Sequence, residues 1–367
     1  MGIAAACELA DRGLRVVGLD RFTPPHDRGA HAGRSRIFRT AYMEGAAYVP
    51  LAREALRRWR SLESETGTDL LTLTGGLMLG RPDSGAVSGA LATATAYDLR
   101  HELLDGAEVR RRFPAFTPAD DEVGLWEEAA GFVRPEAAIG ALTEAARRRG
   151  ADLRTGMPVT SWTAGPDGVT VHCGGHAFEA DRLVLALGAW APGLAGLEVP
   201  MRVERRVQHF FRPTEPSACE PGRMPVWVWE RDDVAYGMPL IEGRAKGALH
   251  HHRAEQAADP EMTPGAVTAS EVEAMQKALD SRIPSLARGE WIDAKPCLYT
   301  LTPDENFVLG LHPLHPAVAV ACGFSGHGFK FTPAIGAILA DLVVDGRTGF
   351  DITLFDPQRF VVPRDVP

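Results

Sequence analysis

A buried strand, a glycine-rich turn and a helix follow one another between Ala317 and Gly346, and this run limits the fold more than any other stretch. Ala317 to Ala321 reads as a short core strand. Cys322-Gly-Phe-Ser-Gly-His-Gly-Phe-Lys330 then turns into a helix in which Ile335, Ile338, Leu339, Leu342 and Val343 recur at helical spacing, ending near Gly346. Thr332 is the expected N-cap, with Pro333 at the first helical position. A strand feeding a glycine turn and a helix start brings backbone amides and the positive end of a dipole up to an electron-rich ligand. Gly323, Gly326 and Gly328 would admit that ligand, with His327 and Lys330 as polar tips. Alone the turn is weak evidence, because most such turns bind nothing.

The first twenty residues supply a second piece. Residues 3–12 form a small-residue helix stopped by Gly13, and Leu14 to Leu19 read as a buried strand ending at Asp20. This is the second half of a dinucleotide-binding βαβ unit, in which an acid lies about 20 residues beyond G-x-G-x-x-G. Gly2 fits the third glycine and Asp20 the acid, while the first strand and first two glycines are absent from the sequence. The expectation is a start called too late, leaving two unpaired strand edges and an apolar slot. An ordinary amphipathic helix beginning at Gly2 is the competing reading.

With 367 residues and a net charge of −9, the chain has room for well-buried cores and lacks the basic surface a nucleic-acid partner requires. No apolar run reaches membrane-spanning length, since Gly188, Pro192 and Gly193 interrupt the longest, Leu183 to Leu197. Cys7, Cys173, Cys219, Cys297 and Cys322 show neither disulfide nor zinc spacing, so a reducing cytoplasm is expected.

Further along, Arg34, Arg36 and Arg39 crowd one turn-rich loop, either an anion site or a solvated basic patch. Helices are expected over 49–64, 83–97, 135–149 and 268–280. A strand pair is expected over Leu71 to Leu79, an irregular segment over 107–134, and short strands over 151–154, 158–163, 168–173 and 177–180. From 199 to 300 the pattern turns β-rich (203–211, 225–230, 233–237, 245–251, 290–299), the mark of a second domain roofing a ligand held by the first. The division expected is 1–70, 135–198 and 300–367 for the nucleotide domain, with 71–134 and 199–299 forming the roof.

Within the roof, Lys246, Ala248 and His250 share one strand face. An inward lysine would have a lowered pKa, whereas one on an edge strand would reach solvent, and the sequence leaves both open. His250-His-His252 resembles a metal tract, but neighbouring strand residues point to opposite faces. Cys297 and Tyr299 share a face, and spacing alone makes Cys297 a structural core thiol. No Ser-His-Asp order, nucleophile elbow, H-E-x-x-H or carboxylate dyad is present, so the chemistry belongs to a cofactor.

These stretches together resemble the monomeric sarcosine oxidase family, which includes N-methyl-L-tryptophan oxidase, within the D-amino-acid-oxidase-like flavoproteins. The residues that carry the resemblance are Pro24-Pro-His26, His31-Ala-Gly-Arg-Ser-Arg-Ile-Phe-Arg-Thr-Ala-Tyr-Met-Glu-Gly45 and Tyr48-Val-Pro-Leu51. Beyond them come Tyr236-Gly-Met-Pro239, Lys246-Gly-Ala-Leu-His250, Cys297-Leu-Tyr-Thr300, Pro303-Asp-Glu-Asn-Phe307 and Gly323 to Phe331, in family order over essentially the whole chain. The resemblance implies an α/β fold: an FAD-binding Rossmann-like domain of the glutathione-reductase type plus a β-rich α+β substrate domain. It implies FAD tethered through Cys297, with Gly2, Asp20, Arg21, Ser35, Arg36, Gly323, Gly326, Gly328 and Lys330 around the cofactor. Lys246 is then the lysine that assists oxygen reduction, and Arg39 and Lys330 hold a substrate carboxylate. Arg36, Tyr236, His250, Tyr299 and His327 line the cavity. Arg34 and Ala32 depart from the family pattern, which has an acid and a second histidine there, and the loop before Lys246 is about one residue shorter. The implied reaction is oxidation of a secondary amine, commonly an N-methyl amino acid, by a monomeric cytoplasmic enzyme that reduces oxygen to hydrogen peroxide. Alternatives are an oxidase of a cyclic imino acid or glycated amino acid, or a truncated non-catalytic remnant.

Overall fold

The structure, a computed structural model, describes residues 1–251, 257–262 and 265–360. His252 and much of the polar stretch 253–265 fall outside those residues. Among them, no helix is long and apolar enough to cross a membrane.

The organising element is an eight-stranded sheet. Its order is Glu290–Leu301, Arg202–Arg212, Arg244–His251, Val234–Ile241, Val226–Glu230, Gly76–Gly80, Val123–Glu127 and His101–Asp105. All neighbours are antiparallel except Val226–Glu230 with Gly76–Gly80. Period-two alternation gives the sheet two different faces. On one, Leu77, Leu79, Trp227, Trp229, Ala235 and Ala245 pack against Met275, Leu279 and Leu286 of the helices Ala269–Asp280 and Pro284–Ala287. The longer helix begins at a capping box between Thr268 and Glu271. The other face carries Tyr236, Lys246, His250, Cys297 and Tyr299, all in register. Cys297 lies opposite Arg206, Tyr299 opposite Glu204, Lys246 opposite Phe210 and Met238, and Ala248 opposite Gln208 and Tyr236. This second face roofs the site.

Below it lies the α/β layer. Val17–Leu19 pairs in parallel with Asp152–Arg154, and Leu183–Leu185 pairs in parallel with His315–Cys322. The helices Gly2–Asp11 and Thr332–Asp345 cross where Gly336 meets Ala4; a Cβ there would stand 2.6 Å from that of Ala4. Tyr48–Thr66 and Pro135–Arg148 complete the layer, with Tyr48, Leu51, Ile335, Ile338 and Leu339 in one core and Trp59, Phe38, Leu142 and Ala145 in the next. The pairs 17–19/152–154 and 183–185/315–322 belong to separate sheets, and a cleft of about 2050 Å³ runs between them. Leu14 and Val17 stand 39 % and 49 % exposed beside it.

Several expectations are corrected. Leu71–Leu73 and Gly76–Gly80 do not pair with each other, because Gly75, at φ +73°, sends them into different sheets. The segment read as irregular holds the helix Gly106–Arg112 and the strands Val123–Glu127 and Gly131–Val133. Phe331, not Thr332, precedes the last helix. A 3-10 turn over Phe329–Phe331 takes the capping place, and Thr332 Oγ1 donates to Phe329 O at 2.6 Å instead.

Candidate active site

The roof face meets the loop Ala30–Phe38 around one buried ammonium. Lys246, 2 % exposed, donates to Gly33 O, to Ser35 O at 2.8 Å and to Gln208 Oε1 at 2.9 Å. Burial pushes its pKa well below the lysine value, with Arg36 adding in the same direction. Arg36 Nη1 reaches Ser35 O at 2.8 Å and Gln208 Oε1 at 3.0 Å; its Nη2 reaches Ala30 O and Ala32 O, both at 2.7 Å. The same Nη2 lies 3.7 Å from Cys297 Sγ, which is itself 3.6 Å from Ala30 O. The inward reading of Lys246 therefore holds, and Cys297 sits beside Arg36.

The glycine-rich turn closes on this group. Gly323 and Gly326 adopt φ +58° and +83°. A Cβ on Gly326 would lie 2.1 Å from the Tyr299 ring, so glycine is required by close approach as well as by conformation. Tyr299 Oη and His250 Nδ1 share a hydrogen bond of 3.2 Å, with Tyr236 edge-on to His250. Burial raises the phenols of both tyrosines, keeping them protonated.

Beneath the turn, Arg39 Nη2 donates to both carboxylate oxygens of Glu44, at 2.8 and 2.7 Å, and the guanidinium stacks on Tyr42. Lys330 Nζ donates to Tyr42 Oη at 3.0 Å and His327 O at 2.9 Å. Tyr42 Oη in turn donates to His327 Nδ1 at 2.7 Å, and His327 Nε2 donates to Glu305 O at 3.1 Å, which fixes the tautomer from its partners. Burial lowers His327 to about 4 and Lys330 to about 7. Burial alone would raise Glu44, but Arg39 brings it down to about 2. A pocket of about 60 Å³ is lined by Arg39, Glu44 and Lys330 together with Ile37, Val228 and Tyr236. Arg36, Tyr299, Gly326 and Phe329 border both this pocket and the large cleft, so the two meet there.

The family model for FAD dependent oxidoreductases matches residues 1–342. The chain belongs to this family. It is 45% identical over 365 residues to the monomeric sarcosine oxidase of Streptomyces avermitilis, covering 98% of this chain and 95% of that one. With the N-methyl-L-tryptophan oxidase of Salmonella arizonae it shares 32% identity, covering 98% and 96%. Among solved structures, the open form of NikD, described as an unusual amino acid oxidase, superposes with a TM-score of 0.84 at 26% identity. That match covers 99% of this chain and 96% of NikD.

The residues present fit the FAD of this oxidoreductase family. The cleft is long and runs from Asp20 and Arg21, past Met1 and Gly2 at the start of the first helix and Gly188 to Trp190, to Gly323, Gly326 and Gly328. Burial lowers the Met1 amino group to about 6. Arg21 is already engaged with Glu261 at 2.7 Å, and Glu261 also accepts from Trp190 Nε1 at 2.7 Å, all three lining the cleft. Ser35 contributes its backbone carbonyl rather than its hydroxyl. His327 has both ring nitrogens bonded and stays neutral, which gives it a bracing role beside Lys330 rather than that of a free base.

Sequence reasoning missed Glu44, Gln208 and Glu127. Glu127, 1 % exposed, accepts from Thr40 N at 2.9 Å, Thr40 Oγ1 and Ala41 N at 3.1 Å, holding the loop that carries Arg39. Glu44 lies five residues after Arg39, a signal available in the sequence. Glu204, Arg206 and Gln208 alternate as polar residues along one strand face, which pointed inward once the sheet was assembled. Among the described residues, no cluster of His, Cys, Asp and Glu could hold a metal ion.

Proposed function

We propose that the chain is an FAD-dependent oxidase of a small secondary amine bearing a carboxylate, an N-methyl amino acid of the sarcosine type. The observation that carries this reading is the pocket of about 60 Å³ lined by the buried side chains of Arg39 and Lys330 together with Tyr236, His250 and Tyr299 of the roof. Arg39 and Lys330 beside the apolar Ile37 and Val228 suit one carboxylate, and a recess this small suits a methyl-bearing amine better than an indole or a sugar.

The substrate carboxylate takes Arg39 from Glu44 and approaches Lys330, while Tyr236, His250 and Tyr299 close over the amine. Bound FAD would accept two electrons from the substrate and pass them to oxygen. The substrate loses a hydride from the carbon beside nitrogen, the nitrogen lone pair forms the C=N bond, the N–H proton is released, and water hydrolyses the imine to aldehyde and primary amine. Oxygen leaves as hydrogen peroxide with two electrons and two protons. Lys246, held as an ammonium by three oxygen acceptors against the lowering effect of burial, is the charge that stabilises the anion developing on oxygen, a preorganised electrostatic role. Cys297, packed beside Arg36 and two residues from Tyr299, is the proposed thioether attachment point. The proposed division keeps 1–70, 135–198 and 300–367 as the cofactor domain and 71–134 and 199–299 as the roof. A cytoplasmic location accords with the five unpaired thiols, and a monomer with the monomeric sarcosine oxidase that the chain resembles.

Anaerobic addition of N-methylglycine to the flavin-loaded protein tests the proposal. Bleaching of the flavin, with oxygen restoring it and one peroxide formed per turnover, supports it. N-methyl-L-tryptophan and L-pipecolate should bleach more slowly. No bleaching with any secondary amine contradicts the reading and favours a non-catalytic remnant.

A further inference from the structure

We propose that Gln208 is the positioning residue for Lys246, its single amide oxygen holding the Lys246 ammonium and the Arg36 guanidinium together at the roof. This rests on the role of Lys246 proposed above. On the strand Arg202–Arg212, Gln208 lies opposite Ala248 while Phe210 lies opposite Lys246, making Gln208 and Lys246 diagonal neighbours on one face. Long side chains reach one another across such a diagonal. Gln208 is 1 % exposed. Its Oε1 accepts from Lys246 at 2.9 Å and Arg36 at 3.0 Å, and its Nε2 donates to Ala32 O at 3.1 Å. The amide orientation is settled by its partners, because lysine and arginine can only donate and a carbonyl can only accept.

The surrounding loop is built around this amide. Gly33, at φ +114°, would place a Cβ 2.6 Å from Gln208 Oε1, so the backbone closes directly on the side chain. With Gly33 O and Ser35 O taking the other two protons, all three N–H bonds of Lys246 are fixed in direction. The chemistry of position 208 then matters in two ways. A carboxylate there would pair with the ammonium and quench the field it presents, whereas a hydrocarbon would leave a buried donor unpartnered and uncouple Lys246 from Arg36. A neutral amide holds both cations without neutralising either.

Two variants and two readouts test this. The chain has four lysines, Lys246, Lys277, Lys295 and Lys330, so ¹⁵N-lysine labelling gives few Nζ signals, and Lys246→Met assigns the one of interest. The charged and titratable groups facing Lys246 are Arg34 and Arg36 from the loop, Glu136 from the helix Pro135–Arg148 and Cys297 from the roof; all are kept in both variants. In flavin-free protein, Gln208→Glu should move the Lys246 titration to higher pH and Gln208→Met to lower pH. In the holoenzyme both should slow reoxidation by oxygen roughly tenfold, the worth of one hydrogen bond to a charged group, with anaerobic reduction by N-methylglycine changed far less.

If Lys246→Met leaves reoxidation unchanged, the role of Lys246 falls, while the titration still decides whether Gln208 sets its state. If Lys246→Met slows reoxidation but neither Gln208 variant shifts the titration or the oxygen step, the assignment of Gln208 is overturned. Should Gln208→Met fail to fold, Gln208→Glu, which keeps the acceptor, decides alone.

Discussion

The Arg39 guanidinium and the Glu44 carboxylate form an ion pair in which Nη2 reaches both carboxylate oxygens, at 2.8 and 2.7 Å, with side chains 5 % and 19 % exposed, inside the pocket proposed to receive a substrate carboxylate. The protein thus carries its own carboxylate where the ligand's would bind, and Glu44 competes with it.

Glu44→Gln should therefore tighten binding of a simple carboxylate inhibitor such as propionate by roughly fivefold or more, because a neutral amide yields Arg39 more readily. Thermal stability should fall at the same time, since a buried guanidinium loses its countercharge. Arg39→Leu should weaken propionate by at least about a hundredfold. An unchanged dissociation constant in Glu44→Gln, followed by flavin absorbance, would remove Arg39 as the anchor.

Lys330 gives the site a pH dependence. Burial, with Arg39, lowers its pKa from 10.5 to about 7, against the opposing pull of Glu44. The ammonium is present below that value and lost above it, so propionate binding should weaken as pH rises through about 7. Lys330→Met should weaken binding and flatten the profile. Linkage adds a stability effect of known sign. Between about 7 and 10.5 the unfolded chain binds a proton at this lysine that the folded chain does not, so stability of the flavin-free protein should rise with pH across that window. Urea denaturation at pH 7 and 9.5 measures this, and a Lys330→Met protein with the same rise would assign it elsewhere.

Gly326→Ala places a Cβ 2.1 Å from the Tyr299 ring at φ +83°. Left-handed strain and displacement of a buried ring together should cost about 2–4 kcal/mol, read as a lower urea midpoint. The ring cannot move without disturbing its bond to His250, so amine turnover should fall further than stability. Wild-type stability would mean that the ring does not press on the turn.

Much of this arrangement was legible in the sequence where periodicity is local. The helices 2–11 and 48–66 and the roof strands 202–212, 244–251 and 290–301 follow from spacing, because burial and pattern coincide there. His101–Asp105 and Val123–Glu127 were not, since their strand character comes from pairing with each other and with Gly76–Gly80. The short helix Gly106–Arg112 carries mostly charged and small residues, so it showed no apolar stripe. In the site, Lys246, Cys297 and Tyr299 could be placed on one face by counting along strands. What counting could not supply was depth. Gln208 and Glu127 matter because folding buries them against cationic or backbone donors that lie 38 to 172 residues away for Gln208 and 86 or 87 for Glu127.

Cys297→Ser tests the proposed tether. Acid precipitation of the wild-type holoprotein should carry the flavin colour into the pellet, and the serine variant should release it to the supernatant. Free flavin from the wild type would contradict the thioether while leaving the pocket intact.

The central claim is that a cation fixed under the roof sheet serves the oxygen step and not the amine step. Stopped-flow comparison of Lys246→Met with wild type separates the two. The account predicts flavin bleaching by N-methylglycine at a rate within about tenfold of wild type, and reoxidation by oxygen slowed by about a hundredfold or more. Reoxidation at the wild-type rate would contradict it.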